Sequence, residues 1–270
     1  MGQEGELVRC RSPQKDFEEA FANYVGIPKG HALTVCNGTV ALQLALAALG
    51  IGPGDEVIVP AVSWSTTYFP LQQYGLKLVF VDIDSDTLNF DLEALSSAIT
   101  AKTRAILAVN LLGNPNDFDV ISSLTKGRDI TLLEDNCESM GAQFNDRYAG
   151  TFGLMGTFSS FYSHHIATME GGCILTDDAE IYHILLSLRA HGWTRNLPKD
   201  NHITGTKSDD FFEESFNFVL PGYNLRPLEM SAATGVEQLK KLPKKPKKKH
   251  QLKKLLLKKK HQLKKLLLKK

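Results

Sequence analysis

Residues 32–49 read Ala-Leu-Thr-Val-Cys-Asn-Gly-Thr-Val-Ala-Leu-Gln-Leu-Ala-Leu-Ala-Ala-Leu. A short apolar run, a tight Asn-Gly-Thr turn and an alanine- and leucine-rich stretch predict a buried strand, a turn and a helix. This is the opening unit of a sheet whose strands alternate with helices. The free N–H groups and positive dipole end at Gly38 and Thr39 form a natural phosphate seat. An ordinary strand-to-helix turn carries Asn-Gly for its geometry alone, so the seat acquires meaning only from its surroundings.

Downstream the alternation continues. Gly50 to Asp55 (Gly-Ile-Gly-Pro-Gly-Asp) makes a turn, residues 56–60 (Glu-Val-Ile-Val-Pro) a strand, 63–74 a helix and 77–82 a strand. Helices are expected over 91–99 and 117–126, and strands over 104–110 and 130–135. Residues 157–172 open as a β-branched and aromatic run, break into a polar loop with two adjacent histidines, and close on a glycine pair. A strand over 173–176 and a helix over 178–190 follow. Then comes an irregular polar and aromatic stretch, 191–224, and a last helical pattern at 227–239. Strands that are apolar throughout, alternating with helices, imply an α/β fold with a mostly parallel sheet covered on both faces. Ligands in such sheets lie beyond the carboxyl ends of the strands, where Asn37, Pro60, Asp82, Asn110, Asp135 and Ser163 fall.

Composition narrows the function classes. The 270 residues suffice for one large domain or two ordinary ones, and 43% are hydrophobic, normal for a globular protein. No apolar run approaches a membrane span, and the N-terminus lacks the apolar segment of a signal peptide. The four cysteines (Cys10, Cys36, Cys137 and Cys173) are scattered, which suggests reduced thiols in a cytoplasmic protein. The net charge of +1 conceals an asymmetry, because residues 240–270 hold 16 lysines and no acid. Residues 1–239 therefore carry 15 basic against 30 acidic side chains, which argues against nucleic acid as their default partner. Within the tail, 249–259 and 260–270 are one 11-residue sequence repeated. A basic amphipathic helix at a membrane surface is one interpretation. Low-complexity sequence standing where a natural C-terminal region has been lost is the expected one. The expected organisation is a large domain over 1–239 and a tail over 240–270.

Several residues invite chemistry, each beside a plainer role. Asp135 closes a buried strand and needs a partner, either the cap of a following helix or a protonated heterocyclic nitrogen. Trp64 is either core or a face for a planar ring. His164 and His165 suit proton transfer, or are satisfied structural histidines. A metal site built from His164, His165, Asp135 and Glu138 is a further alternative.

Together these residues resemble the sugar aminotransferases of the aspartate-aminotransferase-like fold, pyridoxal-phosphate enzymes acting on nucleotide-linked keto sugars. The resemblance covers about residues 16–239. It rests on residues 50–60, on Val79 to Asp84 (Val-Phe-Val-Asp-Ile-Asp) with Asp86 to Asn89, and on Gly113 to Asp117 (Gly-Asn-Pro-Asn-Asp). It also includes Leu133 to Gly141 (Leu-Glu-Asp-Asn-Cys-Glu-Ser-Met-Gly), Gly150 to Gly153 and Glu170 to Gly172.

In that family the loop after Ser-Phe holds the lysine that binds the cofactor covalently. The matching position, five residues after Ser159 and 29 after Asp135, is His164. Residues 160–172 contain no lysine, so the resemblance implies a non-covalently held cofactor. A His-His pair here is similar to the nucleotide-sugar 3-dehydratases that use pyridoxamine phosphate. That similarity implies a 4-keto-6-deoxy nucleotide sugar as substrate, glutamate as an amino donor, and His164 as the acid–base group. Asp135 would hold the cofactor's ring nitrogen protonated, and Gly38, Thr39 and Ser159 would bind its phosphate. Trp64 would stack on the ring and Glu138 would lie near its phenolic oxygen. Asn224 would reach the cofactor of a neighbouring subunit, implying a homodimer, while His165 would orient His164 or touch substrate. An aminotransferase of the same family is the nearest rival, and a non-catalytic remnant a more distant one.

The chain departs from the family pattern in three places. The usual glycine before Glu170 is Met169, and no cysteine follows Cys173 to build an iron–sulfur cluster of the kind one dehydratase branch uses. The family's smaller C-terminal domain is expected to be missing, so the chain should bind cofactor but turn over poorly.

Overall fold

The computed structural model describes residues 12–28 and 31–242; Cys10 and the lysine-rich repeat lie outside the described residues. The chain begins with α1 (Pro13–Val25), β1 (Ala32–Val35), α2 (Gly38–Leu49), β2 (Glu56–Pro60), α3 (Ser65–Gln73) and β3 (Lys77–Val81). It continues through α4 (Leu92–Ala98), β4 (Thr103–Val109), α5 (Phe118–Thr125), β5 (Thr131–Asp135) and a hairpin, β6 (Gln143–Phe144) and β7 (Arg147–Tyr148). Then come β8 (Met155–Ser159), β9 (Gly172–Leu175) and α6 (Ala179–Arg189). A short pair, β10 (Asp200–Asn201) and β11 (Gly205–Thr206), precedes α7 (Phe211–Phe216) and α8 (Glu229–Leu239).

Seven strands form one sheet in the order β1-β9-β8-β5-β4-β2-β3. Only β9 runs against the rest, antiparallel to β1 on one side and β8 on the other. The mostly parallel α/β architecture is thus present, with both faces covered. Alternate residues of the central strands feed opposite cores. Val57, Val59, Ala105 and Leu107 pack with Leu44 and Leu46 of α2, whereas Ile58, Ile106 and Ala108 pack with Leu95, Phe118 and Ile121. Burial of each such leucine contributes about 1.5–3 kcal/mol. Helix α2 starts where the Asn37 side chain accepts a hydrogen bond from the Val40 N–H, and ends at Gly50 in the left-handed region.

Helix α1 precedes the alternation that starts at Ala32, and no sequence signal assigned it. A buried ion pair ties it to the sheet. Glu18 Oε1 accepts from Arg189 Nη1 (2.7 Å), the Thr34 N–H (2.8 Å) and Thr34 Oγ1 (2.7 Å), so the buried carboxylate is well satisfied. Its apolar face meets α8, where Gly235 leaves room for the Phe17 ring.

Three expectations shift. Strand β8 stops at Ser159, because the Thr168 N–H turns back to the Ser160 carbonyl and closes a loop; Ser163 lies within that loop, not at the strand end. Helix α8 begins two residues later than expected, and the stretch 191–224 contains β10, β11 and α7. No helix among the described residues is long and apolar enough to cross a membrane.

One contact between α6 and the β10–β11 hairpin gives a pH prediction. The His202 N–H donates to His183 Nδ1 (3.2 Å), and the two rings lie 5.2 Å apart. Desolvation first, then His202 and His31, holds the His183 pKa below its ordinary value of 6.5. The unfolded chain binds that proton more readily, so stability falls as pH drops through about 6.5. Thermal melting of His183→Gln should depend less on pH than the parent between about pH 7 and 5; parallel curves would remove His183 as the cause.

Candidate active site

A cavity of about 600 Å³ opens at the carboxyl ends of β1, β4, β5 and β8. Its walls come from five chain segments that are distant in sequence, one of them the end of β4 with Val109 and Leu111. The β1–α2 turn contributes Asn37, Gly38 and Thr39, and the segment after β2 contributes Ser63, Trp64 and Thr67. The end of β5 contributes Asp135, Cys137 and Glu138, and the β8–β9 loop Ser159, Ser163, His164 and Glu170. Of the nine candidate residues, Gly38, Thr39, Trp64, Asp135, Glu138, Ser159 and His164 are brought together here. His165 and Asn224 are not.

The phosphate seat is built by close approach. As the first residues of α2, Gly38 and Thr39 have N–H groups without intrahelical acceptors. A side chain at position 38 would put Cβ 2.6 Å from Ser159 Cβ and 3.1 Å from its Oγ, so only glycine lets the Ser159 hydroxyl sit beside the helix start. Gly172 serves the same place from β9, since a Cβ there would collide with the Asn37 carbonyl.

Asp135 is 5% exposed. Its Oδ1 accepts from the Cys137 N–H (3.1 Å) and its Oδ2 from Thr67 Oγ1 (2.9 Å). No helix follows β5 directly, so the helix-cap alternative is replaced by a local turn contact at Cys137. Thr67 escaped the sequence reading; its only signal is the four-residue spacing from Ser63, which puts both hydroxyls on one side of the helix start. Trp64 precedes α3 with 72% of its surface exposed on the cavity wall, so the core alternative fails. Glu138 Oε2 accepts from the Leu112 N–H (2.9 Å) and fixes the turn at Leu111–Gly113.

The His164 N–H donates to the Phe161 carbonyl (2.9 Å), which holds the backbone of the histidine loop. His165 is exposed beside it. Desolvation first, then His164, lowers its pKa, while Glu138 opposes the shift. Met169 adopts φ +70°, a conformation glycine takes without strain. The loop therefore keeps the glycine-like backbone at that position while carrying methionine. Asn224 is exposed and accepts from Arg226 Nε (3.3 Å). Among the described residues no group of three His, Cys, Asp or Glu side chains is placed to hold a metal.

Three carboxylates, Asp135, Glu138 and Glu170, line the cavity, and His164 is the only basic side chain there among the described residues. A seat of free N–H groups, a buried carboxylate and an exposed indole fit the phosphate, ring nitrogen and ring face of a pyridoxal-type cofactor. The lining offers no lysine to bind one covalently.

Residues 3–268 match the model of the DegT/DnrJ/EryC1/StrS aminotransferase family. The chain belongs to that family. It is 68% identical over 235 residues to the GDP-4-keto-6-deoxy-D-mannose 3-dehydratase of Yersinia pseudotuberculosis, covering 85% of this chain and 59% of the relative. Among solved structures, the E. coli GDP-4-keto-6-deoxy-D-mannose-3-dehydratase with bound hydrated PLP superposes with a TM-score of 0.82 at 68% identity. That match covers 86% of this chain and 60% of the other. A GDP-4-keto-6-deoxymannose-3-dehydratase with a trapped PLP-glutamate geminal diamine gives 0.83 at 67% identity, over 86% and 61%. This member of the DegT/DnrJ/EryC1/StrS family thus spans about three-fifths of the length of the relatives it matches.

Proposed function

We propose that this chain carries the cofactor-binding part of a nucleotide-sugar 3-dehydratase, acting on a GDP-linked 4-keto-6-deoxy sugar with pyridoxamine phosphate and glutamate. The observation that carries the proposal is His164. It lines the cavity with Asp135 and Ser159, in the loop where the family's lysine is expected, and among the described residues no lysine lines the cavity. The named relatives support the same choice over an aminotransferase.

The cofactor, when bound, supplies an amine for the sugar's 4-keto carbon and a ring that accepts electrons. The protein's own groups do the rest. The Gly38 and Thr39 N–H groups and the Ser159 hydroxyl bind phosphate. Asp135 holds a proton on the ring nitrogen, and Trp64 orients the ring by its face. His164 takes a proton at an imidazole nitrogen and returns it as the C3 hydroxyl departs. Glu138 holds the Leu111–Gly113 turn as the cavity's opposite wall.

A homodimer is part of the proposal. Asn224 lies outside its own cavity and is free to reach a partner's cofactor, and the acid-rich lining leaves phosphate charge to be met from elsewhere. We infer a cytoplasmic setting, a reading supported by the free thiols at Cys36, Cys137 and Cys173.

Borohydride treatment with pyridoxal phosphate tests the lysine-free site. No adduct should map to residues 160–172, whereas His164→Lys should yield one at position 164. A stoichiometric adduct on any native lysine of the chain would overturn the non-covalent assignment. Formation of a 3-deoxy sugar from the GDP-linked 4-keto sugar tests the reaction itself, and a 4-amino sugar as sole product would favour the aminotransferase.

A further inference from the structure

Thr67 lies inside the first turn of α3 and is 2% exposed. A buried hydroxyl is costly unless it is hydrogen-bonded, and valine would fill the same volume without that need. A threonine in the first turn of a helix has no helical carbonyl four residues earlier to bond back to. Thr67 instead directs Oγ1 out of the helix to Asp135 Oδ2 on β5, 2.9 Å away and 68 residues distant in sequence. Its other contact is Ser63 Oγ at 3.0 Å.

The direction of these bonds follows from proton counting. A carboxylate only accepts, so Thr67 spends its one hydroxyl proton on Asp135, and Ser63 supplies the proton between Ser63 and Thr67. A directed chain therefore runs from Ser63, on the cavity wall, through buried Thr67 to the carboxylate. The Cys137 N–H pins Asp135 at Oδ1. One contact leaves a carboxylate free to swing about it. Thr67 at the second oxygen fixes the plane.

We propose that Thr67 is the positioning residue that orients the Asp135 carboxylate toward the cofactor's ring nitrogen, a role that rests on the assignment of Asp135 to that nitrogen. Thr67 touches neither cofactor nor substrate in this scheme and acts only through Asp135.

The test is a double-mutant cycle on the full chain, read by absorbance titration with pyridoxal phosphate. Thr67→Val should weaken binding about tenfold or more, the loss appropriate to one hydrogen bond to a charged group. Thr67→Ser, which keeps the hydroxyl, should stay within about twofold of the parent. In an Asp135→Ala background, Thr67→Val should change affinity by less than about threefold, because its target is gone. Equal penalties in both backgrounds would show a merely structural effect and overturn the proposal. Parent-like binding by Thr67→Val, with Asp135→Ala impaired, would overturn it while sparing the Asp135 assignment. Unchanged affinity in Asp135→Ala would instead remove that assignment and the proposal with it. If Thr67→Val melts below the assay temperature without cofactor, Thr67→Cys, which exchanges the hydroxyl for a weak thiol donor, replaces it in the same cycle with Thr67→Ser as its reference.

Discussion

Replacing His164 with asparagine is expected to lower the rate of 3-deoxy sugar formation by about 10² to 10⁴, the range for loss of a positioned acid–base group. Asparagine retains polarity and approximate size, but its amide does not exchange a proton near neutral pH. The His164 backbone contact to Phe161 is made by the main chain and survives the change. Pyridoxamine phosphate should still bind, since Gly38, Thr39 and Ser159 are untouched. The measurement is product formation from the GDP-linked 4-keto sugar with glutamate present, beside a binding titration. His165→Asn serves as the internal comparison, because His165 lies outside the cavity lining. Should His165→Asn abolish dehydration while His164→Asn retains it, the roles of the two histidines are reversed. If neither change matters, the proposed mechanism fails.

Asp135→Asn is expected to weaken cofactor binding by about ten- to a hundredfold, since a hydrogen bond to a charged group contributes about 1.5–3 kcal/mol. It should also suppress turnover by removing the group that holds the ring nitrogen protonated. The fold should survive. An asparagine carbonyl can still accept from the Cys137 N–H, and the Thr67 hydroxyl can rotate to accept from the new amide. If the carboxylate serves only the Cys137 turn, asparagine is an equivalent replacement. Parent-like affinity would then leave Asp135 as a structural residue.

The strand–helix alternation was legible because the centres of β2, β4 and β5 are apolar, and because Asn37 and Gly50 punctuate α2 at both ends. Helix α1 was not. Its charged surface weakens the pattern, and its key carboxylate, Glu18, finds its partner 171 residues away at Arg189. Within the site, Asp135 was visible at a strand end and His164 in the loop after one, whereas Ser159 was singled out only by the family resemblance. Thr67 was hidden for the opposite reason: its spacing from Ser63 hints at a hydroxyl pair, but its target is not evident until β5 is seen beside it. The exclusion of His165 from the cavity was equally unreadable, because adjacent loop residues diverge in directions that only the backbone sets. The left-handed Met169 was half visible, as a missing glycine whose conformation nonetheless persists.

The way the histidine loop is moored has an evolutionary consequence. Its two ends are stitched together, Ser160 N–H to the Gly171 carbonyl, and the Thr168 N–H returns to the Ser160 carbonyl. Gly172 then pairs with both Val35 and Ser159, the neighbours of the phosphate seat. His164, the proposed acid–base group, hangs from the span between those knots and takes part in neither of them. Such a loop behaves as an exchangeable cartridge. On the proposed assignment, a substitution on the span would change the reacting group while leaving the backbone contacts beside the phosphate seat in place.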